Sequence, residues 1–543
     1  MLGAAGVVLG AADLSALYQR TEGWATGLYL AALALKERGS LGSVGGWVGG
    51  GDRFVSEYVE SELLARISQR RREFLTRTAV LDRLSGPPCD AVVDQPGSAA
   101  VLAELARSNL LLVPLDRRGQ WYRYHHLFRD MLLGELERRE PALIPELHGR
   151  AAAWFEANGL EEAAIDHAQA AGDADQVARL VLQAMQPVWA SGRDDTVLRW
   201  MEWFERDQRL ERYPAVAVHG ALIVALLGRA TKAEQWAAAA ERSSPQGRLP
   251  DGSTMESYLA YLRANLCRDG AAEMRRDARI AWDGLSPSSP YRASMLHTEA
   301  LSFLLDGDAE RADAVFAGAF EAAIEAGAPP LAAMVLAERC GIAAGRDDWA
   351  QAAALADRGL ELIRGGQFDA YWTSALVFAW AARVAVHRGD LNAAREHLMR
   401  AAGLRPLLTH ALPVVSVQAL LELARVHLAL ADLAGARTLM REVDDLLGRR
   451  PGLGTLVGQA EALRAQLASQ RGSSVPAASA LTGAELRLLP LLATHLSGPE
   501  MAAELFLSPL TVKSELKAIY RKLGASTRTQ AVTRARELGL LEG

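Results

Sequence analysis

Lys513, Lys517 and Arg521 recur every four residues near the end of a 543-residue chain, interleaved with Val512, Leu516, Ile519, Tyr520 and Leu523. At about 100° per residue the apolar set falls on one helix face, and the cations, with Ser514, fall on the opposite one. An apolar face supplies a core. A face of long cations suits a helix lying in the major groove of duplex DNA, where lysine reaches guanine acceptors and flanking charges reach phosphates. Ser508 followed by Pro509 opens this helix as an N-cap and a first-turn proline, and Leu523-Gly524 closes it. From Thr511 to Arg536 there are 7 basic residues and 1 acidic one, although the whole chain carries a net charge of -6. That balance excludes a chain-long basic coat and concentrates affinity for a polyanion at one end.

Other chemistries find less support. The chain contains no glycine-rich loop ending in Gly-Lys-Ser/Thr, so the glycine run Gly39 to Gly51 reads as a flexible connector. Cys89, Cys267 and Cys340 are far apart, which fits neither a disulfide framework nor a cysteine-rich zinc site and agrees with a reducing cytoplasm. Cys89 reads as a buried small hydrophobe, since no base can be named for it. His125 and His126 are adjacent, but a metal site needs further ligands on the same side and the sequence proposes none. The preferred reading has them fixing a hairpin-to-helix junction. His495 reads as a turn or surface residue. No catalytic residue, metal site or cofactor site is assigned, and the chain is expected not to be an enzyme. No uncharged apolar run reaches the ~18 residues of a membrane span, and Met1 to Ala12 lacks a basic stretch before it. A cytoplasmic protein with no membrane partner is expected.

The elements that position these residues are almost all helical. Residues 1-50 precede a small winged-helix domain at 51-140, in which helix-like segments at Phe54 to Leu63, Phe74 to Leu81 and Leu102 to Asn109 lead into a β-hairpin. Leu110 to Leu115 and Trp121 to Tyr124 form its strands, split by the Asp116-Arg117-Arg118-Gly119 turn. Residues 141-470 are alanine-rich and punctuated by Gly172-Asp173, Gly192-Arg193, Gly228-Arg229, Asp269-Gly270, Gly307-Asp308, Gly345-Arg346, Gly389-Asp390 and a degraded Ala431-Asp432. From Gly192 onward their spacing is that of a helix-turn-helix repeat. Small residues after each turn, such as Ala309, Ala312, Ala393 and Ala394, let paired helices approach, so an α-solenoid is expected. The stretch 471-480 is a linker by composition, releasing 481-543 as an independent module. In that module Thr482 and Glu485 form a capping box, and Thr527 and Gln530 a second. Pro490 is expected to kink the first helix.

The run from Leu481 to Leu541 resembles the LuxR-type helix-turn-helix family across its length. The matching residues include Leu481-Thr482, Glu485, Ser497, Glu500, Ala502, Leu505, Ser508, Thr511-Val512-Lys513, Ile519-Tyr520, Lys522-Leu523-Gly524, Arg528, Ala531-Val532 and Gly539-Leu540-Leu541. The resemblance implies that Lys513, Ser514 and Lys517 read bases and that Thr511 and Arg521 contact phosphates. Ser508, Val512, Lys522 and Arg528 complete the implied DNA-binding set, and the last helix pairs two copies. Ala484, His495 and Glu515 depart from the family pattern; Glu515 lies on the flank away from Lys513 and Lys517 and so need not oppose DNA.

Upstream, Thr21 to Leu35, Cys89 to Val93 and Asn109 to Phe128 are similar to MalT-like large regulators of the LuxR class, built on a signal-transduction ATPase of the STAND type. Family members carry that ATPase, a winged helix, a TPR-like superhelix and the terminal domain. The resemblance implies that residues 1-50 are a remnant of the end of that ATPase region, with ATP expected for the full-length family but no hydrolysis by these residues. Tyr124-His125-His126-Leu127 resembles the histidine motif with which related STAND proteins touch ADP, which makes His125 a nucleotide-contact candidate beside the preferred junction reading. The implied function is a transcription regulator that binds double-stranded promoter DNA as a homodimer or oligomer, working with RNA polymerase. A small-molecule or protein effector would bind the TPR-like region. The alternative is a TPR-like interaction scaffold whose terminal module no longer binds DNA.

Overall fold

The computed structural model describes residue 15 and residues 67-541, apart from 108-111, 191-192, 207-208, 244-248, 250, 290 and 470-480. The expectations for 1-50, for the glycine run, for the helix at Phe54 and for the linker lie outside the described residues. The remainder is mainly all-α, with one two-stranded sheet among the described residues. The chain divides after Trp203 into two compact units.

The first unit opens with α1 (Gln69–Thr78), α2 (Gly86–Val93) and α3 (Ser98–Arg107), followed by β1 (Leu112–Pro114), β2 (Tyr122–Tyr124) and α4 (His126–Arg139). β1 and β2 pair antiparallel, Leu112 opposite Tyr124 and Pro114 opposite Tyr122. Gly119 takes the left-handed conformation that closes the turn, and the Tyr122 hydroxyl donates to its carbonyl at 2.6 Å. Leu84 and Tyr122 exchange backbone hydrogen bonds at 2.8 and 2.9 Å, adding a third segment to the hairpin. Helices against a wing of this kind form the expected winged helix, with Leu75, Leu84, Cys89, Val92, Leu102 and Phe128 in its core. The compact unit extends past residue 140. It includes α5 (Ile144–Ala157), α6 (Glu161–Ala171), α7 (Ala174–Ala190) and the start of α8 (Asp194–Glu205), and Arg150 donates to the Val92 carbonyl at 3.1 Å.

The second unit is a run of helical hairpins. After α9 (Arg209–Arg212) come α10 (Pro214–Leu226) with α11 (Ala230–Glu241), α12 (Met255–Leu266) with α13 (Ala271–Gly284), and α14 (Arg292–Leu305) with α15 (Ala309–Glu325). α16 (Pro329–Gly345) with α17 (Trp349–Gly366), α18 (Ser374–His387) with α19 (Leu391–Leu404), and α20 (Pro413–Ala429) with α21 (Leu433–Arg449) follow, and α22 (Thr455–Ser469) ends the series.

Four of the recurring turns share one physical basis. A residue in the left-handed region ends one helix, and an aspartate after it caps the next: Asp308, Asp348, Asp390 and Asp432 accept from the backbone N–H of Arg311, Gln351, Ala393 and Gly435. Arg229 and Gly270 start their helices without a side-chain cap. Glycine holds the left-handed position at Gly307 and Gly389, but Asp347 and Ala431 hold it elsewhere. The expected Gly345-Arg346 turn is therefore displaced by two residues, and Gly345 is the last residue of α16. Of the small residues expected to let paired helices approach, Ala312 and Ala394 are wholly buried, while Ala309 and Ala393 are half-buried. Between successive hairpins, a Cβ on Gly341 would lie 2.7 Å from the Trp380 ring. At its end the superhelix returns on itself. Arg450 donates to the Leu266 carbonyl at 3.3 Å, and Thr455 to the Leu304 carbonyl at 3.0 Å.

The terminal module comprises α23 (Gly483–Leu488), a 3-10 turn at Pro490–Ala493, α24 (Gly498–Glu504), α25 (Pro509–Leu523) and α26 (Arg528–Glu537). Pro490 does more than kink the first helix: with no N–H to give, it ends α23 and opens the 3-10 turn. The first capping box forms as expected, whereas Gln530 of the second accepts from Ser526 and not from Thr527.

Candidate nucleic-acid interface

α25 is amphipathic in the sense the sequence predicts. Val512, Ile519 and Leu523 are buried with Leu486, Leu489, Leu492, Met501 and Ala531 in the module core. Lys513, Lys517 and Arg521 are exposed, and no ion pair engages them among the described residues. Leaving three cations solvated and unneutralised on one face costs the fold little and keeps them free to displace counterions from a polyanion. Ser508 caps the helix by accepting from the Thr511 N–H at 3.0 Å, and its hydroxyl lies 2.7 Å from that of Thr511. Two hydroxyls at a helix N-terminus are well placed for a phosphate. Ser514 is exposed, with its hydroxyl donating to the Thr511 carbonyl at 2.8 Å.

The other expected site residues are placed differently. Val512 is fully buried, so it shapes the helix seat. The Lys522 ammonium donates to both oxygens of Glu485, at 2.7 and 2.6 Å. Arg528 spreads its guanidinium over four carbonyls, of Leu491, Leu492, Thr494 and Leu496, at 2.7 to 2.9 Å. Both cations are thus committed inside the module. The structure brings Ser508, Thr511, Lys513, Ser514, Lys517 and Arg521 together on α25 and leaves Lys522 and Arg528 as internal ties.

Glu515 is half-buried, on the flank where Arg487 lies. Burial raises its carboxyl above the usual range, and the Arg487 charge opposes that rise. Arg487, itself lowered by burial, donates to the Pro406 carbonyl at 3.2 Å. His495 is exposed, as its turn position suggests.

Pro406 belongs to the solenoid, and the terminal module does not stand free of it. Arg405, 5% exposed, donates from one Nη2 to Glu442 at 2.6 Å and to the Leu481 carbonyl at 2.8 Å, while the Gly483 N–H donates to Glu442 at 2.6 Å. A buried ion pair that also satisfies the first backbone groups of the module binds it to the 3-10 turn after α19 and to α21 by groups that cannot be released singly at low cost. Beside it, the Lys232 ammonium sits 4.7 Å from the Phe506 ring and 5.0 Å from the Trp236 ring, with Glu205 at 3.2 Å. Phe506 holds a left-handed φ of 54°, an uncommon state for a bulky residue. Nothing local in the sequence points to Arg405, Glu442 or Lys232; their signal lies in packing between distant segments.

Elsewhere, His125 is buried at the start of α4, where its carbonyl accepts from Arg129 N–H at 2.9 Å, a position consistent with the junction reading. Burial raises the Cys89 thiol to about 12, which suits a small hydrophobe and not a nucleophile. Within the solenoid, Trp349, Trp380, Glu338, Arg383, Glu422 and Arg425 are among the residues that line a cavity of about 430 Å³. Arg383 donates to Glu422 at 2.9 Å and Gln418 to Glu338 at 2.8 Å. Among the described residues no cluster of side chains is arranged to hold a metal ion, and no helix is long and apolar enough to cross a membrane.

Comparison with known proteins agrees with this layout. Residues 60–144 match the MalT winged helix domain, and residues 479–535 match the luxR family of bacterial regulatory proteins. The chain is 36% identical over 180 residues to the serine/threonine-protein kinase PknK of Mycobacterium tuberculosis, covering 33% of this chain and 16% of that protein. It is 32% identical over 172 residues to the HTH-type transcriptional regulator MalT of Klebsiella pneumoniae, covering 31% of this chain and 19% of that one. The matches therefore span less than a fifth of these relatives' length. Among solved structures, a STAND protein with a tetratricopeptide repeat sensor from Pyrococcus horikoshii aligns over 82% of this chain and 69% of its own, at 13% identity and a TM-score of 0.45. That likeness is too distant to bear on function. The chain thus carries a MalT-type winged helix, a helical repeat and a LuxR-type terminal module in this order, and in that arrangement it resembles MalT-like regulators of the LuxR type.

Proposed function

We propose that the chain is a transcription regulator that binds promoter DNA through α25 and receives an effector on its helical repeat. The observation that carries this reading is the selective freedom of charge on α25. Lys513, Lys517 and Arg521 stand solvated on one face, while Lys522 and Arg528 are consumed by internal contacts. A helix kept only for its fold has no need of that separation. Inserted in a major groove, Lys513 and Lys517 reach base acceptors, and Ser508, Thr511 and Arg521 hold phosphates.

The cavity within the solenoid, lined by two tryptophans and by Arg346, Arg383 and Arg425, supplies a place for a small molecule or a segment of a partner protein. Such binding would act by population shift, favouring an assembly in which two terminal modules meet two half-sites and gain affinity through effective concentration. Contacts with RNA polymerase would follow on the promoter. The full-length family's ATP has no phosphate-binding loop to hold it in these residues, so no nucleotide step enters this reading.

The test uses the full chain with fluorescent fragments from its own upstream DNA at two salt concentrations, beside a Lys513→Ala/Lys517→Ala variant. Saturable binding that weakens with salt, at about −0.9 in log–log slope per neutralised phosphate, and that the variant loses, is the expected result. Binding that is absent or indifferent to both changes would favour an interaction scaffold instead.

A further inference from the structure

The centre of the exposed arc of α25 is not a cation but Leu510. Taking Leu510 as the origin and about 100° per residue, Lys517 and Arg521 lie about 20° to either side, Ser514 about 40° away and Lys513 about 60° away. Ile519, wholly buried, is diametrically opposite. Leu510 is 77% exposed, more than any other exposed large hydrophobic among the described residues. The module core is already complete without it: Val512, Ile519 and Leu523 bury the inner face, and Leu516 and Tyr520 pack at its edge. Nor does it serve the contact with the solenoid. The cleft between the two is lined on the module side by Phe506 and Leu507, but not by Leu510.

A lone exposed leucine is ordinary on a protein surface. This one is set apart by its neighbours at i+3, i+4 and i+7, which are the free Lys513, the hydroxyl of Ser514 and the free Lys517. It also sits in the first turn, the part of a major-groove helix that comes nearest the base edges. A duplex presents one apolar group on the floor of that groove, the C5-methyl of thymine. The cations to either side draw in the phosphates and base acceptors around it, so the charge of this face and its apolar centre describe the same partner.

We infer that Leu510 is a specificity-determining residue that packs on a thymine C5-methyl, so that each bound half-site carries a required thymine. Leu510 to Lys517 spans roughly 10 Å along the helix at about 1.5 Å per residue, or about three base steps at 3.4 Å per step. The thymine therefore lies within about three base pairs of the acceptors read by Lys513 and Lys517. Ser514, whose hydroxyl proton is engaged by the Thr511 carbonyl, adds an acceptor beside it and not a donor.

This inference rests on the DNA-binding reading, and its test separates the two. The full chain is used to select bound duplexes from a random library. In a selected duplex each thymine is then replaced in turn by deoxyuridine, which keeps every hydrogen-bonding group and loses only the methyl. The expected result is a three- to tenfold loss of affinity at one position per half-site, the size of one buried methyl contact. Leu510→Ala should bind the thymine and deoxyuridine duplexes equally at that position and keep its salt dependence, and 5-methylcytosine placed there should recover part of the wild-type affinity. Equal wild-type binding to thymine and deoxyuridine at every position would overturn the inference alone, as would a deoxyuridine penalty that persists in Leu510→Ala. Failure to select any duplex would overturn both the inference and the reading beneath it. Because Leu510 is exposed, an unchanged melting curve for Leu510→Ala establishes that the variant is folded.

Discussion

Lys522 and Glu485 lie 37 residues apart in sequence, yet the Lys522 ammonium contacts both oxygens of a carboxylate whose side chain is 6% exposed. The same carboxylate accepts the Thr482 N–H at 2.7 Å, so one buried acid starts α23 and holds the end of α25. Two helices are registered by a single charge pair.

Lys522→Ala leaves that acid buried without its cation, a change that costs about 3 to 5 kcal/mol where a pair is broken from one side. The terminal module should melt well below the wild-type temperature, and Lys522→Ala/Glu485→Leu should recover a substantial part of the loss. Circular dichroism melts of the two variants check this. Below its melting point, Lys522→Ala should retain the salt dependence that Lys513→Ala/Lys517→Ala loses.

Arg528 gives a second separation of charge from geometry. Its planar fork serves four carbonyls around the 3-10 turn, which an ammonium cannot reach together. Arg528→Lys should therefore destabilise the module by about 1 to 2 kcal/mol, close to the loss in Arg528→Ala, because several part-buried acceptors lose their donor in both. A phosphate contact would behave otherwise, since lysine would preserve much of the affinity. Thermal melts of both variants, read beside their DNA affinities, distinguish the roles.

The pattern of what was readable follows from range. α25 announced itself because its apolar period, the Ser508 cap and the Gly524 stop all lie within one helix length, and the structure reproduces all three. The solenoid turns were readable for the same reason, although the glycine stood in for the true signal, a left-handed residue followed by a capping aspartate. Asp347-Asp348 carries that signal with no glycine at the turn itself. Lys522 and Arg528 looked equivalent to Lys513 by charge and family position. Only the placement of Glu485 and of four backbone carbonyls, 32 to 37 residues away, turns them inward. The contact of the module with Arg405 was hidden further still, because a composition that reads as linker says nothing of what its far end packs against.

Arg405 joins the solenoid to the module through a hydrogen bond 76 residues long in sequence. Arg405→Met removes the donor to Leu481 and leaves Glu442 with the Gly483 N–H alone. The expected outcome is local release of the module at little cost to the solenoid itself. Amide exchange in residues 481–488 should accelerate by at least tenfold, with exchange in α20 nearly unchanged. Peptide-level hydrogen exchange of wild type and variant decides it, and unchanged protection at 481–488 would show that the remaining contacts suffice.

The first unit carries a pH dependence of its own. His148 and His167 face each other with their Nδ1 atoms 2.8 Å apart, and the His167 ring stacks on Phe155. Burial first, and then the neighbouring His148, lower His167 to about 4; Arg129 acts in the same direction and Asp82 against it. Burial likewise lowers His148. A histidine lowered in the fold binds fewer protons there than in the unfolded chain between its folded value and the ordinary value near 6.5, so stability rises with pH across that window. Acidification from pH 7.5 to pH 5 should therefore cost the first unit about 2 kcal/mol from His167, on a shift of roughly 2.5 units at 1.36 kcal/mol each, most of it realised by pH 5. His167→Leu should flatten that slope whatever its effect at neutral pH. Chemical denaturation of the full chain at several pH values, followed by exchange protection in α5 and α6, provides the measurement. An acid slope that survives the substitution would assign the dependence to other groups.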